Sequence, residues 1–184
     1  MKTQQNKVNL VERQGIWYLI NSPEPFTGVG VTYFENGQLQ ESNNYKAGKL
    51  RLVEEFYENG GLSHCRSIKD GLLHGLWENF YDNGELKSVA SFVAGEQQGI
   101  AKKFFKSGRL KSISEWENTR QVGVFETYFL NGRLSHRSHY NKGVRDGLYE
   151  SFHRNGQLET RAIFKDGEED SNAGWFDKDG KLIP

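Results

Sequence analysis

The most reactive side chains in this sequence are one cysteine and five histidines, and their surroundings decide whether they can do chemistry. Cys65 lies in a predicted strand among small polar residues. No neighbouring residue supplies the base and the orienting partner that a nucleophile needs. The pattern therefore predicts an inert, half-buried thiol. A single cysteine also excludes an internal disulfide, and no catalytic residue is predicted.

The histidines are too dispersed for a metal site. His64 and His136 occupy equivalent positions three periods of a 24-residue repeat apart, which places them about 30 Å from each other at the usual strand spacing. His136 and His139 are three residues apart on one predicted strand and point to opposite faces. His139 and His153 remain as the only pair, and two ligands do not make a zinc site. The sequence predicts no metal and no cofactor.

The charged residues balance, with 24 basic and 24 acidic side chains. The chain therefore lacks the basic excess that is typical of proteins that bind nucleic acids or anionic membranes. One local basic cluster next to aromatic rings could bind single-stranded nucleic acid by stacking. Its members are Lys102, Lys103, Lys106, Arg109 and Lys111. A solvated strand edge is the preferred interpretation, because acidic residues at 54–58 offset the cluster, and no nucleic-acid partner is expected.

The sequence contains no apolar run of about 18 residues, so no membrane span is expected. The amino terminus, "MKTQQNKVNLVERQGIWYLI", begins with polar residues and has no apolar core of a signal peptide. These features favour a cytoplasmic location. Removal of an export signal upstream of this sequence is the alternative that stays open.

The secondary-structure elements that position these side chains are predicted from a recurring sequence motif, of which "FYDNGEL" at residues 80–86 is one copy. Its glycine recurs at an interval of 23 residues once and of 24 thereafter. The glycines are Gly37, Gly60, Gly84, Gly108, Gly132 and Gly156, with a weaker copy at Gly180. A fixed period of this length indicates a repeat array.

Asn-Gly between ring-bearing segments predicts a β-hairpin with a two-residue type I′ turn, since Asn and Gly tolerate positive φ best. The polar joins between hairpins, such as "KDGLLHG", are predicted to be loops. The predicted fold is all-β, an elongated single-sheet array of tandem antiparallel hairpins of about 24 residues. One domain spans residues 1–184, with an N-terminal cap at 1–28, hairpin repeats at 29–167 and a C-terminal cap at 168–184. No segment is apolar enough to form a second layer.

The pairing within each hairpin depends on the loop length. With a two-residue loop, the ring three residues before each glycine, such as Phe34, pairs with the leucine two residues after it, such as Leu39. A three-residue loop would shift the pairing by one residue and exchange the faces. Both registers remain open from the sequence.

The position seven residues before each glycine varies in size and indicates a binding surface. It is occupied by Gly30, Val53, Trp77, Ala101, Phe125 and Tyr149. Such variation is not expected of a uniform core, and aromatic anchors beside polar residues are typical of interface hot spots. The predicted partner-binding residues are Trp77, Tyr81, Phe105, Phe125, Phe129 and Tyr149. The competing interpretation is that these rings only stabilise the sheet through cross-strand contacts.

Units of the form "G-x-W-x-x-F-Y-x-N-G-x-L" resemble the MORN repeat variant, and the chain from about residue 9 onward resembles bacterial YwqK-family antitoxins. Arg51, Thr119 and Ser171 depart from this pattern where the repeat has a glycine in the join. The resemblance implies a non-enzymatic protein-binding array that acts as an antitoxin or immunity protein and neutralises a toxin encoded nearby. The alternative is a structural scaffold or a surface-adhesion, envelope-associated module.

Overall fold

The computed structural model describes residues 9–169 and 173–183, and the secondary structure of these residues consists of β-strands and turns. The strands are β1 (Leu10–Arg13), β2 (Ile16–Leu19), β3 (Gly28–Tyr33), β4 (Leu39–Lys46), β5 (Lys49–Phe56), β6 (Leu62–Lys69), β7 (Leu72–Phe80), β8 (Leu86–Val93), β9 (Glu96–Phe104), β10 (Leu110–Glu117), β11 (Arg120–Tyr128), β12 (Leu134–Asn141), β13 (Val144–Phe152), β14 (Leu158–Lys165), β15 (Glu168–Glu169), β16 (Gly174–Phe176) and β17 (Leu182–Ile183).

The main sheet has 15 strands, and from β3 to β14 each strand lies beside its neighbours in sequence. β16 and β17 continue this order, while β15 pairs with β14 beside β16. The predicted all-β array of consecutive antiparallel hairpins is confirmed. The described residues divide into two compact units: the first contains residues 9–85 and 92–95, and the second contains residues 86–91, 96–169 and 173–183.

The Asn-Gly turns have three-residue loops. In the first repeat, Phe34 N donates to Gln38 O at 2.9 Å and Gly37 N donates to Phe34 O at 2.9 Å. Gly37 has a φ of 85°, whereas Asn36 is not among the residues with positive φ. This is a type I turn followed by a left-handed glycine. The predicted type I′ turn at Asn-Gly is therefore wrong.

The longer loop sets the strand register. Tyr33 pairs with Leu39, so the ring four residues before the glycine faces the leucine. This is the register of the three-residue alternative, and the pairing of Phe34 with Leu39 is wrong. An extra residue, Gln40, lies between the pairs Tyr33–Leu39 and Thr32–Glu41 as a β-bulge. Because of this bulge, the leucine lies on the face opposite to the rings at the far end of its strand.

The joins between hairpins form the type I′ turns. At the join between β6 and β7, Asp70 has a φ of 50° and Gly71 a φ of 80°, and both flanking residues belong to strands. The equivalent residues at the other joins are Ala47–Gly48, Ala94–Gly95, Asn118–Thr119, Lys142–Gly143 and Asp166–Gly167. The predicted loops are therefore wrong, because two residues with positive φ reverse the chain with no further residue outside the strands.

The asparagine of the Asn-Gly turn connects one repeat to the next. Asn59 Oδ1 accepts a hydrogen bond from Gly61 N at 2.9 Å, and Asn59 Nδ2 donates to Asp82 O, 23 residues later, at 3.0 Å. We call this pair of bonds the turn tie. The same two bonds occur at Asn36, Asn131 and Asn155. The amide is thus used for its donor and acceptor groups rather than for positive φ.

The Ser107–Gly108 turn, which lacks asparagine, is connected to the next turn by a different side chain. Ser107 cannot reach the following turn with an amide, and Arg109 Nη1 donates to Leu130 O at 2.7 Å instead. The type I′ turns have a backbone connection of their own. Gly143 N donates to Gln121 O at 2.8 Å, and Gly167 N donates to Arg145 O at 2.9 Å. In the second unit, hydrogen bonds thus connect neighbouring hairpins both at the repeat-glycine turns and at the type I′ turns.

The hairpin of β1 and β2 forms a separate two-stranded sheet that packs on the first repeat. The Trp17 and Tyr45 ring centroids are 5.7 Å apart, and the Phe26 ring centroid lies 5.6 Å from that of Tyr45. Trp17 N also donates to Gly48 O at 2.9 Å. Tyr45 keeps only 9% of its surface exposed. The prediction that no segment forms a second layer is wrong at this repeat.

The described residues contain a very thin apolar core. Their only buried hydrophobic residues are Tyr45, Val53 and Ala162. Serine is common among the buried positions, with Ser138 only 2% exposed and Ser151 only 4% exposed. Contacts between rings and hydrogen bonds between hairpins therefore stabilise the array more than a separate interior does.

The turn tie can be tested by replacing Asn59 with alanine. We expect Asn59→Ala to lower the free energy of unfolding by about 1–2 kcal/mol, because it removes the bonds to Gly61 N and Asp82 O. Urea denaturation followed by circular dichroism measures the change. Asp179→Ala is the matched control, since Asp179 occupies the same turn position in the last repeat and no described strand follows β17. Equal losses in both variants would contradict a tie between repeats.

Candidate functional site

The second unit presents aromatic side chains along one face of its sheet. Phe125 on β11 packs edge-on against Tyr140 on β12, with ring centroids 6.1 Å apart. Tyr149 on β13 packs in the same way against Phe164 on β14 at 5.9 Å. All four rings are half-buried and keep part of their surface open. We call these four residues, together with Arg145, the ring face.

Small residues separate the rings across the strands. Phe125 pairs with Ser138, Ser138 pairs with Tyr149, and Tyr149 pairs with Ala162. Ser138 and Ala162 are 2% and 3% exposed, so the neighbouring rings cover them. This alternation of large and small residues gives the face a ridged relief. Such relief is suited to holding a complementary protein surface.

Arg145 adds a positive charge to the ring face. Its guanidinium carbon lies 5.0 Å from the Tyr149 ring centroid and 4.7 Å from that of Phe164, within the range of cation–π attraction. Its Nε has no hydrogen-bond partner within the described part of the chain. The two rings thus hold the guanidinium in place, and arginine and tyrosine are both enriched at interface hot spots. The sequence pattern did not identify Arg145, because no repeat signal marks its position.

Trp77 occupies the equivalent position in the first unit. Its ring centroid lies 5.7 Å from that of Phe92, and across the strands it pairs with Arg66. Arg66 Nη1 donates to Glu55 Oε1 at 2.6 Å. The structure therefore places Trp77, Phe125 and Tyr149 at equivalent positions, as the sequence spacing predicts.

The other three predicted binding residues lie at the Asn-Gly turns. Tyr81, Phe105 and Phe129 each donate and accept backbone bonds that close a turn, and Phe129 N donates to Arg133 O at 2.8 Å. The rings have local contacts of their own: Lys111 lies 5.8 Å from the Phe105 ring, and Arg154 lies 6.0 Å from the Phe129 ring. Phe129 pairs with Arg133 through their backbone groups at the turn, whereas Phe125 pairs with Ser138 in mid-strand. These three residues thus lie at turns, whereas the residues of the ring face lie within strands.

The opposite face of the second unit carries alternating charges. Glu126 accepts from Arg137 Nε at 2.9 Å, and Glu150 accepts from Arg161 Nη2 at 2.8 Å. Arg137 also lies 3.7 Å from Glu150, whose side chain is 8% exposed. Burial next to paired cations is the ordinary way to accommodate such a carboxylate. These charges satisfy one another within the sheet.

Tyr128 extends this charged row. Its hydroxyl donates to Glu126 Oε2. Burial, followed by the hydrogen bond to Glu126 and the negative charge of that carboxylate, raises the pKa of Tyr128 to about 12. Burial alone would raise the pKa of Glu126, but the hydrogen bonds from Tyr128 and Arg137 together lower it below its usual value. The pair therefore stays as phenol and carboxylate over the whole physiological range.

The cysteine and the histidines have structural contacts. Burial, and then the charges of Glu54 and Glu78, raise the pKa of the half-buried Cys65 thiol, which disfavours the reactive thiolate. His139 Nδ1 lies 3.0 Å from Leu148 O, and His153 Nε2 lies 2.9 Å from Phe176 O. Across residues 9–169 and 173–183, no three side chains of His, Cys, Asp or Glu are grouped to hold a metal ion.

Three segments of the chain match the family model described as MORN repeat variant: residues 26–47, 73–94 and 145–166. The first spans β3 and β4, and the last spans β13 and β14. A comparison with curated proteins gives no significant match. Within the described residues there is no helix that could serve as a membrane span. The matches support a repeat-based binding module and do not identify its partner.

The Tyr128–Glu126 pair predicts a loss of stability at alkaline pH. A tyrosine with a pKa of about 12 when folded and about 10 when unfolded contributes fully below pH 10 and loses its contribution as the pH rises through 12. We expect urea midpoints to fall over this range. In Glu126→Gln, the spectroscopic titration of Tyr128 at alkaline pH should shift toward 10. Tyr128→Phe is the control, and a titration near 12 that persists in it would contradict the assignment.

Proposed function

We propose that this chain is a non-enzymatic binding protein that uses the ring face of its second unit to hold a protein partner. The observation that carries the proposal is the set of rings that remain partly exposed around the guanidinium of Arg145. Tyrosine, other aromatic residues and arginine dominate the binding energy of protein interfaces. The opposite face supports this choice of surface, since its charges are paired with one another.

The first unit shows how such a face accepts a polypeptide. There, the Trp17 ring of the N-terminal hairpin packs on Tyr45, and Trp17 N bonds to the adjacent turn at Gly48 O. Tyr45 and Phe164 occupy equivalent positions in their repeats, eight residues after the repeat glycine. An apolar hairpin or strand of a partner would bury the rings of the second unit in a similar way.

We further propose that the partner is a toxin and that the protein acts as an antitoxin or immunity protein by covering the toxin's functional surface. The support for this step is the resemblance of the repeats to those of bacterial antitoxins, together with the repeat-based architecture. A scaffold that spaces other proteins would use the same fold. An adjacent toxin gene would favour the antitoxin role, and rescue of growth on co-expression with that gene product would establish it.

The ring face can be tested with Phe125→Ala combined with Tyr149→Ala. We expect the double variant to weaken capture of the neighbouring gene product at least about 30-fold, because the loss of even one aromatic hot-spot residue costs about 2 kcal/mol or more. Immobilised partner and surface plasmon resonance measure the change.

The control is Val124→Ala, which removes an exposed apolar side chain adjacent in sequence but on the opposite face of the strand; Val124 is 39% exposed. Circular dichroism and thermal unfolding establish that all variants are folded. Unchanged capture by the folded double variant would rule out the ring face as the binding surface. The predicted roles of Trp77, Tyr81, Phe105 and Phe129 are tested by alanine variants in the same assay.

A further inference from the structure

The charges at the Asn-Gly turns are separated by sign between the two units. We define a turn row as the residues from two before to one after each repeat glycine. In the first unit, the turn row has four carboxylates and no basic residue: Glu35, Glu58, Asp82 and Glu85. In the second unit, it has one carboxylate, Asp179, and six basic residues: Lys106, Arg109, Arg133, Arg154, Lys178 and Lys181. All of these residues are exposed.

The turn ties give the two rows the same spacing. In the first unit, Asn59 Nδ2 donates to Asp82 O, and in the second unit Asn155 Nδ2 donates to Lys178 O. In both units the bond joins residues that are 23 positions apart. Each repeat adds two strands, so successive turns are about 10 Å apart in either row. Opposite charges in the two rows are therefore presented at the same interval.

The basic row also borders a depression with an apolar lining. A depression of about 430 Å³ is lined by Arg109, Phe129, Leu130, Asn131 and Arg154. Leu130 is 57% exposed, and the Arg154 guanidinium lies 6.0 Å from the Phe129 ring. Arg109 uses Nη1 to bond Leu130 O, which holds its side chain across the turn. An apolar contact flanked by two guanidinium groups favours a partner surface that carries carboxylates.

We propose that the basic turn row of the second unit binds the acidic turn row of the first unit of another copy of this chain. The two rows have opposite charge and equal spacing, so several ion pairs can form at once. A nucleic acid would also be attracted by the basic row, but the chain as a whole lacks the basic excess that is typical of nucleic-acid-binding proteins. Exposed ion pairs each change a dissociation constant only a few-fold and are screened by salt. The association is therefore moderate in strength and strongly dependent on salt.

Sedimentation velocity of the full chain tests this directly. At about 50 mM salt and about 100 µM protein, we expect a concentration-dependent assembly that dissociates as the salt is raised to about 500 mM, where the Debye length falls to about 4 Å. A protein that sediments as a monomer under the low-salt condition would overturn the proposal. Binding of a single-stranded DNA oligonucleotide without self-association would assign the basic row to nucleic acid instead.

Charge reversal identifies the rows. Lys178→Glu with Lys181→Glu reverses part of the basic row, and Glu58→Lys with Glu85→Lys reverses part of the acidic row. The described turn bonds of these four residues involve backbone groups of Glu58, Glu85, Lys178 and Lys181, so the substitutions leave those bonding groups in place. Each double variant alone should self-associate at least tenfold more weakly than the parent chain. Folded variants that self-associate as strongly as the parent chain would contradict the assignment of the contact to these two rows.

Mixing variants separates a specific contact from a general charge effect. The reversed basic row of one variant complements the reversed acidic row of the other, so an equimolar mixture should form hetero-assemblies; their absence would contradict pairing between the rows. Capture of the protein partner through Phe125 and Tyr149 does not depend on these charges. Failure of self-association and failure of the proposed function are therefore distinguishable.

Discussion

Every hairpin in this protein exposes backbone N–H and C=O groups at its outer strand, and an adjacent strand must satisfy them. Only three hydrophobic residues are buried among those that the structure describes, so a separate interior contributes little. Hydrogen bonds also connect neighbouring repeats at their turns. The donor is the asparagine amide at the Asn-Gly turn and a glycine N–H at the type I′ turn. Stability therefore depends mainly on contacts between neighbouring repeats.

This dependence explains which positions vary. The residues of the turn ties act through an amide or through the backbone, and they recur with little change along the chain. The middle of the strand is not needed for the ties. The position of Phe125 is consequently free to hold glycine, alanine or a large ring in other repeats. Surface chemistry can thus differ between repeats while the backbone arrangement is kept.

The two faces of the second unit illustrate this freedom. On one face, Glu126, Arg137, Glu150 and Arg161 satisfy one another. On the other face, rings pack edge-on and around Arg145 but retain exposed surface. In the first unit, the face equivalent to the ring face receives the N-terminal hairpin at Tyr45. A polypeptide that packs on aromatic rings is thus already part of this molecule's structure.

The sequence by itself determined the repeat, the antiparallel hairpins and the equivalence of Trp77, Phe125 and Tyr149, because a glycine at a constant interval fixes all three. Tertiary structure alone decided the turn types, the register and the packing of the N-terminal hairpin. Asn-Gly is compatible with both a two-residue and a three-residue loop, and in the three-residue loop the Asn59 amide bonds Asp82 O, 23 residues away. Local sequence does not contain that partner. The same reason applies to Trp17, because the Tyr45 ring on which it packs belongs to the first repeat and not to the N-terminal hairpin.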